Sequence, residues 1–129
     1  MSLVRLGLAV CALAIASICL RCAPGRCVRW ATADCIERSR KHRTPDALAR
    51  AVVSVGSRMQ ASCLEQGLAL VMLLSISRVP ARLVIGVSRP GSTFSAHAWV
   101  ECHGRVVLGA AQAADFVSLP SVAALPWQG

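Results

Sequence analysis

The order of apolar and polar positions divides the chain into a helical first half and an alternating second half. Leu6 to Leu20 is an uncharged apolar run behind Arg5. The pattern predicts a first helix over residues 3–21, stopped by Ala23-Pro24-Gly25. A short second helix is expected over Cys27 to Arg38, followed by a basic connector. Thr44-Pro45-Asp46 marks a third helix start: a hydroxyl cap, a proline in the first turn and an acid facing the positive end of the dipole. That helix carries Leu48, Val52, Val55 and Met59 on one stripe, the mark of an amphipathic element packed on a core.

Gln60-Ala61-Ser62 interrupts the helical pattern, and a new one begins at Cys63. Leu64, Leu68 to Leu74 and Ile76 are apolar nearly all round, so this fourth helix is expected to be central and buried. Gly67 costs helix propensity in its second turn and allows close approach to a sheet. Arg78-Val79-Pro80 ends it. Leu83-Val84-Ile85-Gly86-Val87 reads as a strand, Arg89-Pro90-Gly91-Ser92 as a loop, and Phe94 to Cys102 as a second strand. His103-Gly104 has the length and composition of a two-residue hairpin turn, returning a third strand over Arg105 to Leu108. We read one domain over residues 1–129: a helical part at 1–43, a core at 44–112 and an irregular tail at 113–129.

Composition narrows this picture. At 129 residues there is room for one small core, and with 55% hydrophobic but 4% aromatic residues it must be built from Ala, Leu, Val and Ile. The formal charge is +8, and nine of the fourteen basic residues lie between Arg21 and Arg58. Such a surface suits an anionic partner, whether nucleic acid, lipid headgroups or an acidic peptide. Yet no aromatic residues interleave with the basic ones as single-strand binding needs, so we expect a solvated Arg-rich face and no nucleic-acid partner. Seven cysteines cannot all pair, and two of them sit in the apolar run, which argues against a secreted disulfide framework. Cys19-x-x-Cys22 with Cys27 and Cys35 invites a zinc reading, but a second CxxC or a His pair is missing. Small buried thiols explain them better, and no metal or cofactor is expected. The apolar run is short for a span of about 20 residues. Nor does a small-x-small cleavage site with a polar mature start follow it. A packed helix is therefore expected, without a membrane partner.

The chemistry concentrates at Cys63. At a helix N-terminus the exposed amides and the dipole favour thiolate over thiol, and the same amides can hold an oxyanion. His97 is the histidine placed within a strand beside Trp99, whereas His42 lies in the basic connector and His103 in a turn. Cysteine followed by a histidine on a downstream strand, here thirty-four residues later, is the order of a papain-type or transglutaminase-type dyad. Gln60, three residues before Cys63, is a candidate oxyanion donor as well as a solvated loop amide.

These segments resemble a known family. Cys63-Leu64-x-x-Gly67-Leu68-Ala69-Leu70, the strand Leu83 to Val87, and Phe94-Ser95-Ala96-His97-Ala98-Trp99-Val100-Glu101 with Gly104 are similar to the transglutaminase-like core over about residues 44–112. More narrowly, they resemble the B2 leader peptidases of lasso-peptide biosynthesis. The resemblance implies an α+β, papain-like fold with N-terminal helices and the catalytic-cysteine helix packed on a short antiparallel sheet. It implies a cytoplasmic cysteine peptidase, with Cys63 as nucleophile and His97 as general base. Its substrate would be the leader region of a ribosomally made precursor peptide. Its partners would be a separate leader-recognition protein and a lasso cyclase. The family's third member, an acid on the strand after the hairpin, has no match here. With a two-residue turn and unbroken pairing, Ala110 lies opposite His97, Gln112 is the diagonal neighbour and Asp115 is the nearest downstream acid. Gln112 and Asp115 are thus the candidate orienting residues. Glu101 shares the face of His97 but sits roughly 13 Å away by strand rise. A chain lacking the acid could alternatively be a non-catalytic scaffold in the same maturation complex.

Overall fold

The computed structural model describes residues 3–32, 44–88, 95–102, 104–109 and 116–118. Four helices precede four strands: α1 (Leu3–Cys22), α2 (Pro24–Thr32), α3 (Thr44–Arg58), α4 (Cys63–Ile76), β1 (Arg82–Ser88), β2 (Ala96–Cys102), β3 (Arg105–Leu108) and β4 (Phe116–Ser118). The fold is α+β, with an antiparallel sheet in the order β3-β2-β1-β4. Most elements begin where local chemistry says they should. Two differences stand out. Pro24 opens α2 instead of closing α1, since its missing N–H costs nothing in a first turn. Phe116–Ser118, expected within an irregular tail, pairs with Ser88, Val87 and Gly86 as an edge strand. Pairing with β1 supplies what three residues cannot supply locally.

α4 is the centre of the molecule. Leu68, Ala69, Leu70 and Leu74 are all essentially inaccessible to solvent. One side meets α1 and α3 and the other meets β1 and β2. Gly67 makes the sheet contact possible, because a methyl group there would sit 2.5 Å from Leu83 Cδ1 and 3.7 Å from Val100 Cγ2. α1 presents Ala9, Ala12, Leu13 and Ala16 inward, small residues that let it lie close to α3 and α4. Its opposite face is exposed. α1 is also 20 residues long, long and apolar enough by length and composition to cross a membrane, which the shorter run in the sequence had not suggested. On α3, Leu48, Val52 and Val55 are buried, but Met59 lies past the helix end and is exposed.

Both central helices end in the same way. Gln60 (φ 55°) and Arg78 (φ 58°) take the left-handed conformation usually left to glycine. The amide of the following residue then reaches back five positions, Ala61 to Gly56 O at 2.9 Å and Val79 to Leu74 O at 2.8 Å. At the start of α3, Asp46 holds Arg105 through two contacts of 3.0 and 3.1 Å, and the guanidinium keeps the Asp46 carboxyl below its ordinary value. This pair ties the α3 N-terminus to the β2–β3 hairpin.

Candidate functional site

Ser62 is the N-cap of α4: its backbone is extended and its Oγ accepts from the Glu65 N–H at 3.2 Å. Cys63 is therefore the first helical residue, half-buried against the core. The preceding turn is fixed by a residue that motif reading passed over. Gln66 Nε2 donates to the Ala61 carbonyl at 3.0 Å, and Gly56 of α3 makes room for its side chain, since a Cβ there would lie 2.8 Å from Gln66 Cδ. Gln60 itself has an exposed side chain, and its left-handed backbone closes α3.

His97 stands near the start of β2, paired with Gly86 of β1. Alternation along β2 sends Ala98, Val100 and Cys102 into the main core with α4. His97, Trp99 and Glu101 point to the other face of the sheet. There the imidazole lies 6.4 Å from the Trp99 ring, centroid to centroid, at 28° between planes. Trp99 Nε1 donates to Glu101 Oε1 at 3.3 Å, while Arg82 donates to Glu101 Oε2 at 3.3 Å. Glu101 is thus engaged across the strand pair by Arg82, and Arg105 is held by Asp46 instead.

Cys63 and His97 belong to different layers. The α4 C-terminus passes through five residues, 77–81, into Arg82, which pairs with Glu101 beside the hairpin. α4 packs on β1 and β2, with Gly67 against Leu83 and Val100. α3 runs from its Asp46–Arg105 pair at the hairpin to its Gly56–Gln66 packing at the first turns of α4. Cys63 opens the helix that covers one face of the sheet, whereas alternation puts His97 on the other.

The β2–β3 ladder holds a correction. Cys102 pairs with Arg105 and Glu101 with Val106, as a two-residue turn requires, but Val100 then pairs with Leu108. Val107 is the extra residue of a β-bulge. The unbroken count expected from the turn is thus interrupted within the described ladder, which ends at the Val100–Leu108 pair. Gln112 and Asp115 themselves lie outside the described residues, as do His42, His103 and Cys35. Gly109 takes the close position instead. With φ +82°, it lies where a Cβ would be 3.0 Å from Trp99 Cβ and 3.2 Å from His97 Nε2. The imidazole rests over a backbone with no side chain, and its Nε2 is shielded from solvent.

Elsewhere, Cys19 and Cys27 line an apolar groove of about 290 Å³ with Arg26, Trp30, Leu68 and Met72. Burial, then a hydrogen bond with Cys19, pushes the Cys27 thiol above its ordinary value. Among the described residues no three His, Cys, Asp or Glu side chains converge as metal ligands would. No curated protein and no solved structure is matched by the chain. The family model of the Transglutaminase-like superfamily matches residues 5–121, reaching well beyond the segment that carries the cysteine and histidine motifs, and the chain belongs to that superfamily.

Proposed function

We propose that this chain is a cysteine peptidase that removes the leader from a ribosomally made lasso-peptide precursor. The observation that carries the reading is Cys63 as the first residue of a capped, buried helix that packs on the strand bearing His97. Superfamily membership supports a cysteine-based acyl transfer, and the narrower substrate comes from the resemblance of the Cys63 and His97 segments to leader peptidases.

In this mechanism the Cys63 thiolate attacks the scissile carbonyl, and the oxyanion is held by amides of the first α4 turn. His97 acts as the general base that exchanges a proton with the sulfur, and its Nε2 lies close to Gly109. The tetrahedral adduct collapses, its C–N bond breaks, and His97 protonates the departing amine of the core peptide. Water, deprotonated by His97, then cleaves the leader thioester and restores the thiol. A separate leader-recognition protein presents the precursor and a cyclase consumes the freed amine, all in the cytoplasm.

A second reading keeps the same site without turnover. Of the described acids, Asp46 is held by Arg105, Glu101 by Arg82 and Trp99, and Glu65 sits in the first turn of α4. A member without an acid to orient His97 would serve as a scaffold for the partner proteins. Thiol reactivity separates the two. The peptidase reading predicts that iodoacetamide at mildly acidic pH modifies Cys63 well before the exposed Cys11 and Cys22, with Cys27 and the buried Cys102 slower still, by site-resolved mass spectrometry. Labelling of Cys63 no faster than Cys11 and Cys22 would favour the scaffold.

A further inference from the structure

The exposed face of α1 has no role in the chemistry above. Val4, Leu8, Cys11, Ile15, Ile18 and Cys22 recur at alternating spacings of four and three, and all six are exposed. That spacing places them on one side of the helix, opposite Ala9, Ala12, Leu13 and Ala16, which bury against the core. The exposure is large: Val4 71% and Ile18 60%. Cys19, beside this stripe, leads into the groove edged by Trp30, itself 50% exposed. A continuous apolar surface of this kind marks an interaction site.

Charge selects the occupant. From Leu3 to Thr32 the chain carries Arg5, Arg21, Arg26 and Arg29, all exposed, and no acidic residue. On a helical projection Arg5 and Arg21 flank the stripe on opposite sides. A second copy docking through this face would bring arginines against arginines in either orientation, with no acid in residues 3–32 to pair them. An anionic lipid surface satisfies both features: the stripe and Trp30 enter the acyl boundary while the arginines meet headgroup phosphates.

We infer that α1 and the adjoining edge of α2 dock this protein peripherally on an anionic membrane surface. This differs from the expectation that no membrane takes part, because the sequence alone did not reveal that α1 is buried along one side only. Docking involves neither α4 with Cys63 nor β2 with His97, so membrane contact and peptide chemistry are separate properties of the chain.

Flotation of the full chain with phosphatidylcholine vesicles, with and without about one-third phosphatidylglycerol, tests this. Binding is expected on the anionic vesicles, weakening as salt rises, and released by alkaline carbonate. Ile15→Gln with Ile18→Gln should lower binding by about tenfold or more. Arg26→Glu with Arg29→Glu should remove the preference for anionic lipid. Circular dichroism establishes that both variants are folded. Three results would each overturn the inference: no binding to either vesicle, binding that resists carbonate as a spanning helix would, or substitutions that break a protein complex while vesicle binding is absent.

Discussion

Gly104 and Gly109 both hold left-handed backbone, φ +73° and +82°, four residues of strand apart. Their surroundings differ. Nothing lies within 4 Å of a Cβ at 104, whereas one at 109 presses on Trp99 and His97 Nε2. Alanine at either position pays a left-handed penalty of about 1–2 kcal/mol, so stability alone does not distinguish them. We expect Gly104→Ala to keep its cleavage rate at temperatures where it is folded. Gly109→Ala should lose at least about tenfold in kcat, with the His97 ring-proton chemical shifts displaced from their wild-type positions. Equal rates for both variants, with undisplaced ring resonances, would show that Gly109 does not position His97. Only part of this was legible in sequence. His97 and Cys63 announce themselves by residue type beside a strand and at a helix start. Gly109 carries no motif, because its value lies in the side chain it lacks, and that shows once the imidazole is placed against it.

At the scale of elements, what local chemistry specifies was legible and what distant pairing specifies was not. Thr44-Pro45-Asp46 and Ser62-Cys63 start α3 and α4 where the sequence places them. β4 has only Phe116, Val117 and Ser118, too few for a pattern, and exists through pairing with β1. The bulge at Val107 was equally hidden: Val106, Val107 and Leu108 are all apolar, so alternation does not reveal which one is extra. α4 offers the sharpest test at this scale. Ser62 Oγ is the side chain that caps the helix displaying Cys63. Ser62→Ala should reduce stability by about 1 kcal/mol, read by denaturant unfolding, and should slow Cys63 alkylation at fixed pH as the helix terminus frays. Ser62→Asp should restore the cap and the stability. Unchanged stability in Ser62→Ala would mean that the turn is held by Gln66 and Ala61 alone.

For the whole molecule, the architecture places Cys63 and His97 on different layers, the first turn of α4 and strand β2. The short 77–81 connection and the Asp46–Arg105 pair tie helix ends to the sheet, and the Gly56–Gln66 packing joins α3 to the start of α4. None of the three has a signature in spacing, since each joins residues from separate elements. The same holds for α1: its apolar run predicted a packed helix, but which side would face outward depended on where α3 and α4 lie. The fold class was readable because helical and alternating periods occupy separate halves of the chain. The relation between the halves was supplied by long-range contacts.

The most direct measurement is cleavage of the cognate precursor by the purified chain with its leader-recognition partner, wild type against Cys63→Ala, with products identified by mass. The account predicts one cut between leader and core for the wild type and none for Cys63→Ala, with both proteins folded and both engaging the partner. Cleavage that persists in Cys63→Ala, or its absence in folded, partner-bound wild type, would contradict a Cys63-dependent leader peptidase.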